Sequence, residues 1–239
     1  MDTNKNSYTI IYAAVMVVIV ALLLALVSSG LKETQTTNVK LDKKKQILSA
    51  LQINLEDQDA AALYDQYIVK ELVVNTKADI LSEVKGEAFD IDIVKEAAKP
   101  LESRQLPIYV AQLEGQTKYI IPLRGAGLWG PIWGYVALND DKNTVFGTYF
   151  SHASETPGLG AEIALPKFQQ EFVGKHILND RNEFVSIAVM KAGQKSDTQE
   201  QVDGISGGTI TSKGVEAMLL NSIGQYEAFL IKSNGGTQE

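Results

Sequence analysis

The sequence predicts an α+β protein. One N-terminal transmembrane helix precedes a single soluble domain, which has a mainly antiparallel sheet and a C-terminal helix after a glycine-rich loop. Three observations predict this. An uncharged, proline-free apolar run extends from Ile10 to Val27. Beyond about residue 106, short β-branched and aromatic runs are interrupted by Gly, Asn and Asp, as in hairpin-connected strands. Near the end, Val215, Met218, Leu219, Ile223, Tyr226 and Leu230 recur at helical spacing. The 239 residues suffice for an anchor and one domain of roughly 200 residues.

The apolar run reads IIYAAVMVVIVALLLALV. With Tyr8 and Thr9 it is long enough, at about 1.5 Å per residue, to cross a hydrocarbon layer of about 30 Å. Tyr8 and Tyr12 lie near one edge, where aromatic residues favour the interface. A cleaved signal peptide is the alternative, with Val27 and Ser29 as the small residues before a cut. The run exceeds the usual apolar core of about 7–15 residues in such peptides, which favours a retained anchor. Ala21, Ala25 and Ser29 share one helix face, either as a close-packing surface or because alanine is common in apolar helices. Lys5 flanks one end, and Lys32, Lys40, Lys43, Lys44 and Lys45 lie beyond the other. Counting positive charge alone keeps the large domain inside the cytoplasm, although long domains translocate regardless of it.

Residues 37–52 place Leu41, Leu48 and Leu51 near helical spacing, and a second helix is expected over 58–71. Strands are expected in PIYVAQLEG, TKYIIPLRG, PIWGYVALND and NTVFGTYFS, with another at 184–190. Pro166 opens a short helix over 166–173, and the final helix is expected from Ser212 to Lys232. The tail SNGGTQE is expected to fray.

Hydrophobic content of 45% and charged content of 21% permit an ordinary core. A net charge of −7 repels phosphate backbones and argues against nucleic acid as a partner. The absence of cysteine removes disulfides, thiol nucleophiles and protein-held iron–sulfur clusters. The two histidines, His152 and His176, lack metalloprotease spacing, so a catalytic transition-metal site is not expected.

Three motifs stand out. Gly125–Gly130 matches G-x-G-x-x-G, but Pro131 and a strand-like run come next, where a dinucleotide fold needs a helix. A glycine-rich hairpin with Trp129 and Trp133 packed beside it is the better reading. Gly204–Gly208 matches G-x-S-x-G, yet its preceding residues are polar and both histidines come before Ser206, against the nucleophile elbow of a hydrolase. Read more widely, Asp203-Gly-Ile-Ser-Gly-Gly-Thr-Ile-Thr-Ser212 combines glycines and hydroxyls with a helix start. That is either an anion site or an ordinary cap by Thr211 or Ser212 after a flexible turn.

The stretch DGISGGT resembles the flavinylation motif Asp-x-x-Ser/Thr-Gly-Ala-Thr of the FMN-binding domain family. Asp203, Ser206, Gly207 and Thr209 match it, and Gly208 stands where the family has alanine. The resemblance implies FMN joined to Thr209 through a phosphoester bond. PLRGAGLWGPIWGYVAL and ETPGLGAEI are similar to segments of the C subunit of the sodium-translocating NADH:quinone oxidoreductases, as is the layout of the whole chain. The G subunit of the Rnf complex is the close relative that offers the alternative reading.

The resemblance implies an electron relay that needs no NADH or quinone site of its own. It implies membrane subunits of one complex as partners and a flavin transferase that uses FAD for maturation. It also places the soluble domain on the periplasmic side of the inner membrane, against the lysine count. The divisions are then a cytoplasmic tail at 1–7, the span at 8–29, a membrane-proximal helical segment at 30–105 and the FMN-binding domain at 106–239. Besides Thr209, the expected cofactor-contacting residues are Asp203, Ser206, Gly207, Gly208 and Thr211, together with Glu155, Thr156, Gly158, Leu159 and Gly160 of a second glycine-bearing loop. Trp129 is either a stacking partner or core, and Lys213 either offsets phosphate charge or is simply solvated. A membrane-anchored scaffold without flavin remains the reading from another class.

Overall fold

The computed structural model describes residues 6–55 and 58–232, so the C-terminal tail from residue 233 lies outside the described residues. The chain divides into two compact units, 1–43 and 44–239. A single helix, α1 (Asn6–Ala50), supplies the described part of the first unit, where its apolar side chains are exposed. This helix is long and apolar enough to cross a membrane. The run at 37–52, expected as a helix continuing out of the membrane, is the last part of it as far as Ala50.

In the second unit, the end of α1 buries Ile47, Leu48 and Ala50. Helix α2 (Ala60–Tyr67) comes next, its first turn capped by Asp59, whose carboxylate accepts from the Ala61 N–H at 2.8 Å. The helix expected to reach residue 71 instead stops at Tyr67, and the chain enters strand β1 (Ile68–Val74) directly. Tyr64, Ile68 and Leu72 are all buried. A spacing of four satisfies the two-residue period of a strand as well as a helical face, so the pattern alone does not separate them. The β-branched residues Ile68, Val69, Val73 and Val74 favour the strand.

Strand β2 (Ile80–Ser82) and the short helices α3 (Glu87–Asp90) and α4 (Ile93–Ala97) come after β1. The four long strands are β3 (Leu106–Leu113), β4 (Gln116–Ala126), β5 (Pro131–Leu138) and β6 (Val145–His152). These complete a fully antiparallel sheet of order β2-β1-β3-β4-β5-β6. Two of its strands therefore come from the stretch expected to be helical, 30–105.

After β6 come α5 (Pro166–Gln170), with its proline at the first turn as expected, then β7 (Ala188–Met190) and β8 (Gln201–Asp203), which pair in parallel. The strand expected at 184–190 forms only over its last three residues. The final helix starts earlier than expected, as α6 (Thr209–Ile223), passes through a tight turn at Gly224–Tyr226 and resumes as α7 (Glu227–Ile231).

The main sheet is buried on both faces. On one, Ile108, Val110, Ile121, Leu123, Val136 and Phe150 pack with Val215, Met218, Leu219 and Ile223 of α6. Each such side chain contributes roughly 1.5–3 kcal/mol by leaving water. On the other, Tyr109 and Tyr135 meet edge to face at 6.3 Å, and Tyr64 of α2 meets Tyr109 at 6.5 Å. Glu71, buried in β1, accepts from the Tyr64 hydroxyl at 2.9 Å and from the Gly86 and Phe89 amides at 2.9 and 3.1 Å. A buried carboxylate requires such partners. Burial, and then the Glu71 charge, push the Tyr64 phenol far above its usual range.

Helix α6 lies close on β4 because two glycines permit it. A Cβ at Gly125 would come to 2.7 Å from Met218 Cβ, and one at Gly214 would collide with the Ala126 carbonyl. This contact brings the start of α6 beside the tip of the β4–β5 hairpin.

Candidate functional site

Three loops meet at the start of α6: the hairpin tip 127–130, the segment 153–160 after β6, and the glycine-rich segment 204–208. Glu155 joins them. Its carboxylate is only 5% exposed. Oε2 accepts from the Thr211 hydroxyl at 2.5 Å, and Oε1 accepts from the Trp129 N–H at 2.8 Å. Burial pushes this carboxyl's pKa up, but the Thr211 hydroxyl, the Trp129 and Gly130 amides and the neighbouring His152 outweigh it and hold the group below the usual carboxylate range. The Glu155 N–H donates to His152 Nδ1 at 3.2 Å.

Thr209 is the first residue of α6, and its side chain is exposed. Gly208 occupies the cap position and offers no side-chain acceptor. The first bond of the helix runs from the Ser212 N–H to the Gly208 carbonyl at 2.9 Å, so the amides of Thr209, Ile210 and Thr211 precede the ladder. The cap expected from Thr211 or Ser212 does not form. Thr211 is turned to Glu155, and Ser212 Oγ accepts from the Ile205 N–H at 2.9 Å, closing the loop onto the helix.

The other expected residues fall around this point. Gly207 has φ +76°, a left-handed conformation that glycine adopts without a Cβ penalty. A Cβ at Gly207 would come to 2.6 Å from Leu159 Cδ2, and one at Gly208 to 3.2 Å from the Leu159 carbonyl carbon. The structure thus brings the two glycine loops into contact. Ser206 is exposed. Asp203 ends β8, and its N–H donates to Glu171 Oε2 at 3.1 Å. The Thr156 carbonyl accepts from the Leu159 and Ala161 amides, both at 3.1 Å, and the Gly158 N–H donates to Glu162 Oε1 at 3.1 Å. Gly160 lies against the Glu155–Thr211 bond, where a Cβ would collide with both partners.

Several readings change. Trp129 is 67% exposed and does not pack into the sheet corner, whereas Trp133 is half-buried with its indole N–H donating to Gln46 Oε1 at 3.2 Å. Lys213 is held by Glu216 at 2.9 Å, so its charge is already paired. The G-x-G-x-x-G segment is a hairpin tip, closed by Gly127 N–H donating to the Gly130 carbonyl at 2.8 Å. Among the described residues, neither histidine is bonded to Ser206: His152 meets the Glu155 amide, and His176 Nδ1 lies 2.6 Å from Glu200 Oε1. Sequence reasoning did not anticipate that Leu128 and Ile210 would be exposed beside this site. Only the partial overlap of a motif with a helix start hints at the exposure of Ile210.

The donor set fits a phosphorylated aromatic group. A free hydroxyl sits with uncapped amides at the positive end of a 15-residue helix, where negative charge is favoured. Flanking glycines let the backbone approach closely. Leu128, Trp129, Leu159 and Ile210 are exposed apolar side chains on two of the three loops and the helix start. Clefts of about 720, 580 and 280 Å³ elsewhere in the domain include no residue from 203 to 211. Among the described residues, no group of three or more acidic or histidine side chains is arranged to hold a metal.

Residues 127–224 match the family model described as FMN-binding domain. The chain is 34% identical to the C subunit of the Na(+)-translocating NADH-quinone reductase of Haemophilus ducreyi, over 89% of this chain and 88% of that one. It is 30% identical to the C subunit of the Pseudomonas aeruginosa reductase, over 98% of each. The crystal structure of the C subunit from Parabacteroides distasonis superposes with a TM-score of 0.78 at 47% identity, covering 85% of this chain and 98% of that one.

Proposed function

We propose a function from one premise: the chain belongs to the family of C subunits of the Na(+)-translocating NADH-quinone reductases. It serves as the electron-transfer subunit of such a reductase, carrying FMN on Thr209 through a phosphoester bond. The observation that carries this reading is the uncapped start of α6, where the motif threonine presents an exposed hydroxyl.

Thr209 Oγ is the acceptor atom. An unassisted threonine hydroxyl is a weak nucleophile, and no base among the described residues is bonded to it, so activation falls to a separate flavin transferase. The amides of Thr209, Ile210 and Thr211 and the helix dipole favour the phosphate charge. Gly207 and Gly208 have no Cβ to hold off Leu159, so the second glycine loop closes onto the start of α6. Leu128, Trp129, Leu159 and Ile210 offer apolar surface for a ring to cover. FMN supplies reversible electron transfer when bound. A covalent tether removes the need for an enclosing pocket, in keeping with an acceptor on an open surface.

The relatives named above are all C subunits, which favours this reading over the G subunit of an Rnf complex. The partners are the other membrane subunits of the reductase, which hold the NADH and quinone sites and couple the reaction to sodium. Helix α1 is the retained anchor in the inner membrane, with the soluble domain on the periplasmic side. The reading is tested by coexpressing the full chain with a flavin transferase and inspecting denatured protein for in-gel fluorescence. Wild type is expected to fluoresce and Thr209→Ala to be dark. A Thr209→Ala chain that still fluoresces contradicts the assignment.

A further inference from the structure

We propose that Glu155 is a positioning residue for modification of Thr209, acting through the Thr211 hydroxyl and the Trp129 amide and not by touching the flavin. This rests on the reading of Thr209 as the flavin acceptor.

Both carboxylate oxygens are engaged by groups of the protein itself. The Thr211 hydroxyl donates to Oε2 at 2.5 Å and the Trp129 N–H to Oε1 at 2.8 Å. Thr211 is 1% exposed, so its hydroxyl faces the carboxylate within the protein. Two glycines of separate loops are shaped around this one group. A Cβ at Gly127 would come to 2.5 Å from Oε1, and one at Gly160 would collide with both Oε2 and Thr211 Oγ1. Gly127 and Gly160 therefore make room for the carboxylate, which explains glycine at these positions of two motifs.

Thr211 lies two residues after Thr209 in the same first turn. Fixing its side chain fixes the rotation of that turn, and with it the direction of the Thr209 hydroxyl. Bonds from hydroxyl and amide to an ionised carboxylate are strong and directional, which suits this role. The Trp129 bond holds the exposed indole and hairpin tip in register with the same turn. An acceptor on an open surface has no pocket to aim it, so the aim comes from beneath.

The test measures flavin incorporation over time in the full chain coexpressed with flavin transferase, with fluorescence normalised to folded protein. Thr211→Val keeps the shape and deletes the hydroxyl; Thr211→Ser keeps the hydroxyl. Thr211→Val is expected to be modified roughly tenfold more slowly, since small misplacement of a reacting atom costs at least that much. Thr211→Ser is expected to restore the rate to within about twofold, which a role in packing alone does not explain. Glu155→Gln, whose amide offers a single acceptor oxygen in place of two, is expected to be slowed as well and decides the matter if Thr211→Val does not fold. Wild-type rates in Thr211→Val and Glu155→Gln overturn the proposal, as does Thr211→Ser being as slow as Thr211→Val. A wild-type chain without flavin on Thr209 overturns the underlying reading instead, so the two failures are distinct.

Discussion

The chain has two glycine-rich turns that meet at the start of α6; glycines of both are packed against other parts of the protein, but only one turn presents a helix start. At the hairpin, glycine makes room for other parts of the protein: Gly125 at the end of β4 for Met218, and Gly127 in the tip for Glu155. In the turn before α6, Gly207 adopts φ +76° against Leu159 and the buried Gly208 packs against Ile205 and Leu159, but the helix cap carries no side-chain acceptor and the next residue, Thr209, is exposed. The difference lies in the element each turn leads into. The first leads into Pro131 and β5, and the second into a 15-residue helix. Spacing of glycines alone says little; the element that leaves the turn decides whether it packs or binds.

This contrast is broken most sharply by removing the one hydroxyl on the binding side. Thr209→Val is expected to lose all covalent flavin. Because Thr209 is exposed, its urea unfolding free energy is expected to stay within about 0.5–1 kcal/mol of wild type. A large loss of stability would make Thr209 a packing residue and erase the distinction. Gly125→Ala tests the packing side. Its new methyl meets a buried Met218 and is expected to cost about 1–3 kcal/mol in urea unfolding. An unchanged midpoint would show that the hairpin glycine is not there for packing.

Between the two turns stands Glu155, whose carboxyl pKa is lowered in the folded chain. A lowered folded value means its contribution is complete above the usual glutamate pKa of about 4.3 and is lost as pH falls through the folded value. Other lowered carboxylates, among them Glu96, Asp141 and Glu200, share the acid loss. The comparison with Glu155→Gln isolates its part. Urea titrations are expected to show a smaller stability loss below about pH 4 in the variant than in wild type. Identical acid slopes would remove the charge from the account of this junction.

The smallest effect is expected for Gly208→Ala, which restores the family's usual residue. Its φ of −105° suits alanine, though the methyl would sit 3.0 Å from Ile205 Cγ2. Reduced freedom in the unfolded chain offsets that tight contact, leaving stability within about 1 kcal/mol and flavin attachment unchanged. Loss of attachment would show that the binding turn depends on glycine at this position as well.

Much of the fold is legible from residue order alone. The β4–β5 hairpin is expected from two β-rich runs about a glycine turn, and the apolar stripe of α6 from its spacing. Strand β1 is not, because Tyr64, Ile68 and Leu72 satisfy both periods until their partners are known. The parallel pairing of β7 with β8 joins segments of three residues, too short to leave a pattern. At the site, the threonine and its glycines are readable because they are adjacent in sequence. The bond from Thr211 to Glu155 spans 56 positions, and Trp129 turns outward although indoles usually pack inward. Such long-range choices depend on where β4, β6 and α6 meet, which no local window encodes.

The central claim is that the first hydroxyl of α6 holds the redox group. Intact mass of the native full-length chain, combined with peptide mapping, tests it most directly. The account calls for one flavin nucleotide per chain, borne by the peptide containing Thr209. Native protein that is unmodified there, or that carries the flavin on another residue, would contradict it.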